Sequence, residues 1–296
     1  MGMSIGSVKA ALELKGLGVL DRIDSVLDLG SQELQLRYDD FVHMCRNAGF
    51  SADNAEFEKL MHFPDPPRCS TAHFWQMLGA RSAKCSDING EHGAIYLDLN
   101  RPLADQSLAG QFDLVTDFGN NEHAFNVGEA YRTMHRLCRK GGLMWTTQRV
   151  YGGNGFFNFD QSFFEGLAAA NRYAVVYSAY IVTSGDDPLA NQFHIPCSKD
   201  LLACFDYSKM NPLGITYIFR KTEDNEFSPY YQGNADRPGE RFLLQFIGNG
   251  YPPEKYYLPV GTRNLIGSLD KRALAELAVQ AIPELARRLM RRLGLR

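Results

Sequence analysis

Apolar runs that stop on an acid or a glycine recur along this chain. The first is Ser25-Val26-Leu27-Asp28-Leu29-Gly30-Ser31-Gln32, in which a run of branched and aliphatic residues ends in Asp, Gly and small polar groups. Such a segment reads as a parallel strand that stops at a ligand and turns into a helix. Three more follow: Ala83-Lys84-Cys85-Ser86-Asp87-Ile88, Ala94-Ile95-Tyr96-Leu97-Asp98-Leu99-Asn100 and Phe112-Asp113-Leu114-Val115-Thr116-Asp117-Phe118-Gly119. Residues 143–148, 173–180 and 214–221 read as later strands. Between them, helical spacing of apolar residues predicts helices over about 5–20, 35–48, 71–80, 127–139, 161–171 and 271–293. Lys140-Gly141-Gly142 marks a helix stop before the fifth strand.

Alternation of strands and helices implies an α/β fold, a doubly wound Rossmann-like sheet of about seven strands covered on both faces. Two stretches break the pattern. Residues 51–70 hold Phe63-Pro64-Asp65-Pro66-Pro67, which cannot lie inside a helix, and residues 184–212 are irregular. Both read as insertions. The expected organisation is a helical segment over 1–24, a main domain over 25–221, and a loop-rich cap with a C-terminal helix over 222–296. That helix carries Leu274, Leu277, Ala281, Leu285 and Leu289 on one face and Arg287, Arg288, Arg291 and Arg292 near its end. It reads as a docked or homodimer-forming element in preference to a membrane anchor.

The 296 residues carry a formal net charge of -3, so no global nucleic-acid footprint is present. No apolar run approaches the roughly 18 residues that span a bilayer, and the first fifteen residues lack a signal-peptide layout. The six cysteines form no Cys-x-x-Cys pair, which suits reduced thiols and a cytoplasmic location. His43, Cys45, His62, Cys69 and His73 are close in sequence, but their spacing matches no zinc pattern, so no metal site is expected.

Acids at four successive strand ends form the ligand edge of an open α/β sheet. Over residues 26–221 the chain resembles class I methyltransferases that use S-adenosylmethionine, of the bacterial kind that modifies small molecules or sugars. The resemblance rests on Asp28-Leu29-Gly30, on Asp87, on Asp98-Leu99, on Asp117-Phe118-Gly119-Asn120, and on Lys140-Gly141-Gly142-Leu143. Phe118-Gly119-Asn120-Asn121-Glu122-His123-Ala124-Phe125-Asn126 and Gly155-Phe156-Phe157-Asn158-Phe159 add to it. It implies S-adenosylmethionine as cofactor, with Asp28, Gly30, Ser31 and Gln32 near its methionine part. It further implies Asp87 and Ile88 at the ribose, Asp98 and Leu99 at the adenine, and Asp117, Phe118 and Gly119 beside the transferring methyl. The chain departs from the family's acid-x-Gly-x-Gly-x-Gly pattern, since Gln32 and Leu34 hold the second and third glycine positions.

Methyl transfer to a hydroxyl needs alignment and proton removal. His123, just past the fourth of these strands, is of a residue type that can serve as a base near neutrality, and Glu122 can orient it. The bland reading makes both parts of a helix start. The aromatics Tyr151, Phe156, Phe157, Phe159, Tyr230, Tyr231, Tyr251, Tyr256 and Tyr257 either line a pocket for a small-molecule acceptor or pack loops onto the domain. The function expected is O-methylation of a sugar or secondary metabolite. The alternative is a binding or scaffold protein whose cofactor site has degenerated. A nicotinamide enzyme is disfavoured, because pyrophosphate needs the Gly-x-Gly-x-x-Gly backbone that is missing here.

Overall fold

The computed structural model describes residues 2–52, 55–183, 192–197 and 213–230. The chain runs β1 (Gly2–Ser4), α1 (Ile5–Gly16), β2 (Ser25–Leu29), β3 (Glu33–Gln35), α2 (Tyr38–Asn47), α3 (Ala55–Leu60), α4 (Thr71–Met77) and β4 (Ser82–Ser86). It continues with β5 (Phe112–Phe118), α5 (Val127–Leu137), β6 (Cys138–Tyr151), α6 (Gln161–Asn171), β7 (Ala174–Thr183), β8 (Gln192–Pro196) and β9 (Leu213–Arg220). The large sheet has seven strands in the order β4-β2-β5-β6-β9-β7-β8. The first four are mutually parallel. β9 lies antiparallel to both β6 and β7, and β8 pairs antiparallel with β7.

Strand parity sorts the side chains into two cores. Val26, Leu114, Phe118, Leu143, Trp145 and Ile218 meet α1, α2 and α4 on one face. Leu27, Leu29, Val115, Met144, Tyr217 and Phe219 meet α5 and α6 on the other. Both sides of each central strand are therefore buried, which is why these strands read as near-continuous apolar runs. The doubly wound α/β sheet expected from the sequence is present.

Several local expectations are corrected. Residues 94–100 do not form a strand: a single parallel bridge joins Ser86 to Ile95. The segment then folds back, with the Asn100 N–H donating to Asp98 Oδ1 at 2.9 Å and the Arg101 N–H to the Asp98 carbonyl at 3.1 Å. β8 supplies the seventh strand instead, from within the stretch read as irregular. After Gly30 the chain does not enter a helix at once. It forms β3, which pairs in parallel with β1. The pairing is close enough that a Cβ on Gly2 would lie 2.3 Å from the Glu33 carbonyl, so only glycine fits there. Leu34, at the third glycine position of the family pattern, is a core residue of this small sheet. The insertion at 51–70 contains α3, whose Phe57 packs on Phe41 with ring centroids 4.9 Å apart.

Among the described residues no helix is long and apolar enough to cross a membrane, and no group of three or more His, Cys, Asp or Glu side chains is placed to hold a metal ion. His43 bonds Asn47 and His73 faces Glu56, while Cys45 and Cys69 are buried. The expected helix over 271–293 lies outside the described residues.

Candidate functional site

The carboxyl ends of β2, β4, β5 and β6 share one edge of the sheet because the four strands are parallel. There the chain leaves β2 through Gly30, whose φ of +88° is a left-handed conformation that glycine adopts freely. A Cβ at this position would sit 2.9 Å from Gln32 Nε2 and 3.1 Å from Asn120 Oδ1. The turns after β2 and β5 are therefore in contact at Gly30. The Gly30 N–H also donates to the Ser86 carbonyl at 2.6 Å, which extends the β2–β4 ladder by one bond.

Asp87 closes the same turn from β4. Its Oδ2 accepts the Ser31 N–H at 2.9 Å, and its Oδ1 accepts the Ile88 N–H at 2.6 Å and the Asn89 N–H at 3.3 Å. The Ser31 hydroxyl donates to Asn89 Oδ1 at 2.8 Å. Gly30, Ser31, Asp87 and Ile88 thus form one unit. Asp87 Oδ1 is filled by its two N–H donors, while Oδ2 has accepted one and retains a second lone-pair site.

Gln32 is fully buried beside them. Its Nε2 donates to the Leu29 carbonyl at 2.6 Å, and its Oε1 has no hydrogen-bond partner. A buried acceptor without a donor is costly.

Asp28 does not reach this edge. Parity places it with Val26, on the face that carries α4. Thr71 Oγ1 donates to its Oδ2 at 2.5 Å, Trp75 Nε1 to its Oδ1 at 3.1 Å, and the Thr116 hydroxyl also to Oδ1. The carboxyl is wholly buried, and burial pushes its pKa up to about 6 against the pull of those three donors. Asp28 fastens α4 to β2 and β5. Asp98 is likewise occupied locally, by its own turn and by Arg101 at 3.2 Å. Leu99 packs against the α5–α6 core.

Asp117 points to the opposite face from Asp28. Its Oδ1 accepts the Asn120 and Asn121 N–H groups at 2.9 and 3.0 Å; its Oδ2 accepts from Thr146 Oγ1 at 2.9 Å and from the Gln148 amide. Burial is the leading cause that lifts its pKa to about 7. The result is a rigid turn after β5, in which Gly119 takes φ +74° and Phe118 packs edge-on against Trp145 at 5.4 Å.

That turn delivers Glu122 and His123. The Glu122 N–H donates to Gln148 Oε1 at 3.2 Å, and Glu122 Oε2 accepts the Arg149 N–H at 2.9 Å. Gln148 therefore grips Asp117 with its amide nitrogen and the Glu122 backbone with its oxygen. Glu122 is buried, which raises its pKa. Its Oε1 stands 3.8 Å from His123 Nε2, and the His123 side chain is about a third exposed. A buried carboxyl thus stands beside a partly exposed imidazole, at a separation beyond a direct hydrogen bond. Sequence reasoning identifies Glu122, His123 and the Asn120 turn but not Gln148, Thr71, Trp75 and Thr116. Only the packing of separate elements brings these four to the acids.

The aromatics divide. Phe159 is buried against Tyr131, Phe163 and Phe164. Tyr230 donates its hydroxyl to the Phe163 carbonyl at 2.5 Å, and Phe157 packs on the same core. These three hold loops. Tyr151 and Phe156 face solvent, and Tyr231, Tyr251, Tyr256 and Tyr257 lie outside the described residues.

A separate cleft of about 560 Å³ lies on the far side of α5, between Arg132, His135, Arg136, Lys221 and Phe227. It is remote from the carboxyl edge and contains none of the residues singled out from sequence.

No family model matches the chain, and no curated protein matches it. Solved structures do. One is the 1,6-didemethyltoxoflavin-N1-methyltransferase of Burkholderia thailandensis with bound 1,6-didemethyltoxoflavin and S-adenosylhomocysteine. It is 15% identical with a TM-score of 0.37, over 74% of this chain and 80% of that one. The StiE O-MT is 13% identical with a TM-score of 0.35, over 80% of each chain. The [4+2]-cyclase SpnF is 15% identical with a TM-score of 0.32, over 75% of this chain and 84% of that one. The chain is thus similar in outline to solved methyltransferases and to a cyclase, a likeness at the level of the α/β fold.

Proposed function

We propose that the protein is an S-adenosylmethionine-dependent methyltransferase that acts on a hydroxyl of a small molecule, of the sugar or secondary-metabolite kind. The observation that carries this reading is the unit at the carboxyl edge. A left-handed Gly30 turn is tied through the Ser31 N–H to Asp87, with Glu122 and His123 beyond β5 on the same edge.

The residues suit the cofactor. Asp87 Oδ2 keeps an acceptor site for a ribose hydroxyl. Gly30 holds the left-handed turn that brings Gln32 and Asn120 together at the edge. Gln32 Oε1 is a buried acceptor in need of a donor, such as the ammonium of a methionine tail. Asp28 and Asp117 act from behind, by fixing the turns on which the contacting groups stand. When bound, S-adenosylmethionine supplies a methyl group on a positively charged sulfur. The chain's own task is to align the acceptor hydroxyl and to take its proton at His123 Nδ1, the ring nitrogen other than the one that faces Glu122. Glu122, held by Gln148 and Arg149, keeps the imidazole in place and offsets the charge it gains.

The test is isothermal titration with S-adenosylhomocysteine. We expect binding by the wild type and at least a tenfold loss in Gly30→Ala, whose Cβ has no room and whose φ costs roughly 1–2 kcal/mol. Absence of heat at millimolar ligand would sink the reading. His123→Ala should keep the affinity and slow transfer to an accepted hydroxyl.

A second reading draws on one observation. Gln32 and Leu34 fill the positions where the family has glycine, and both are fully buried. A binding protein with a degenerate site would show no affinity for the nucleoside while folding normally, and the same titration separates the two.

A further inference from the structure

All the exposed large apolar side chains among the described residues gather at the carboxyl edge. They are Ile88 (66% exposed), Tyr96 (74%), Phe125 (81%), Tyr151 (42%) and Phe156 (72%). Ile88 and Tyr96 follow β4, Phe125 follows β5, and Tyr151 and Phe156 close or follow β6. Scattered surface apolar residues are ordinary, whereas a set confined to one edge marks a contact surface.

The set splits into two halves. Ile88 and Tyr96 belong to the side with Gly30 and Asp87. Phe125, Tyr151 and Phe156 belong to the side with His123. Phe125 is two residues beyond His123. The Phe156 N–H donates to the Glu122 carbonyl at 2.8 Å, so this ring is anchored by its backbone beside the Glu122–His123 pair. The anchorage is tight: a Cβ on Gly155 would lie 2.8 Å from both the Glu122 carbonyl oxygen and its Cγ.

The polar groups of that half point the other way. Asp117 spends both oxygens on the turn and on β6, Gln148 spends its amide on Asp117 and Glu122, and Glu122 Oε2 is taken by the Arg149 N–H. A sugar is held by several carboxylate and amide groups turned toward its hydroxyls. Here the carboxyl and amide groups of Asp117, Gln148 and Glu122 are turned inward, and Phe125 and Phe156 face solvent beside the partly exposed imidazole, with Asn154 and Asn158 exposed on the loop after β6.

We infer that this half of the edge takes a flat, apolar acceptor bearing a hydroxyl, a phenol-like molecule whose ring rests on Phe125 and Phe156 with its oxygen at His123. The inference rests on the methyltransferase reading and narrows its acceptor from a sugar or secondary metabolite to an aromatic compound. Stacking on aromatic side chains favours such a ring beyond its area burial.

The experiment titrates 2-naphthol and, separately, methyl α-D-glucoside into protein saturated with S-adenosylhomocysteine, with binding read by calorimetry. We expect 2-naphthol to bind at least tenfold tighter than the glucoside. Phe125→Ala and Phe156→Ala, both surface changes, should each weaken it at least fivefold and leave the S-adenosylhomocysteine affinity within twofold. Tighter glucoside binding, or naphthol binding unchanged in both variants, overturns the inference and leaves the methyltransferase reading standing. Absence of S-adenosylhomocysteine binding overturns both. If either variant converts a concentration-dependent dimer into a monomer, the face belongs to a second copy of the chain and the inference falls.

Discussion

At the scale of single residues, two acids among the described residues are fully buried, Asp28 and Asp117, one on each face of the sheet. Asp28 serves α4 and Asp117 serves the turn after β5. Both have folded-state pKa values above their ordinary value of 3.8, at about 6 and about 7. A raised acid prefers its protonated form in the folded state. Its contribution is complete below the unfolded pKa and is lost as pH rises through the folded one. For Asp117 the window runs from about pH 4 to about pH 7. We expect the stability difference between wild type and Asp117→Asn, from urea unfolding, to move against the wild type across that window by a few kcal/mol, roughly 1.4 kcal/mol per pKa unit. A difference independent of pH would show that Asp117 is ionised throughout. Asp28 and Asp117 were both visible in the sequence as acids at strand ends. Which way each points was not, because parity fixes only that Asp28 shares a face with Val26, and Asp117 with Val115. Which helix covers that face is decided by packing.

At the scale of elements, the joint between α5 and β6 shows how a sequence signal can be right in kind and wrong in extent. Lys140-Gly141-Gly142 reads as a helix stop, and α5 ends three residues earlier, at Leu137. The glycines belong to an irregular start of β6, where pairing with β5 shifts from Phe112–Cys138 to Leu114–Leu143. Gly141 takes φ +80° and donates to the Lys221 carbonyl at 2.7 Å. A Cβ on Gly142 would lie 2.8 Å from Cys138 Sγ, 2.9 Å from the Arg139 carbonyl and 3.0 Å from the Asp113 carbonyl. Two of these neighbours are backbone and cannot give way. Gly142→Ala should therefore cost about 2–3 kcal/mol by chemical denaturation, comparable to overpacking a core, whereas an effect under about 0.5 kcal/mol would show that the joint adapts. Helix α6 was legible to the residue, since Asp160 caps it with a bond to the Ser162 N–H at 2.8 Å and apolar spacing carries the rest. The segment 94–100 was not, because its apolar alternation is that of a strand while its Asp98 turn cuts the pairing to one bridge.

For the whole molecule, two cores on opposite faces of one sheet give stability and site a measure of independence. Phe164 of α6 is wholly buried and stacks on Tyr217 of β9 with ring centroids 4.9 Å apart. Phe164→Ala should cost about 3–5 kcal/mol, as large cavities do, read as a lowered urea midpoint. The affinity for S-adenosylhomocysteine should stay within twofold, because neither the Gly30 turn nor Asp87 touches that core. A loss of affinity in step with stability would mean that the edge and the α5–α6 layer behave as one unit. The sequence by itself determined the alternation of strands and helices, the burial of both faces, and the presence of acids and glycines where strands end, because local periodicity and chain stiffness carry that information. The three-dimensional fold settles which of those acids stand at the carboxyl edge and which are turned inward. Orientation at a strand end follows from the partners across the sheet: Thr71, Trp75 and Thr116 hold Asp28 inward, Thr146 and Gln148 hold Asp117, and the Ser31 N–H holds Asp87 at the Gly30 turn.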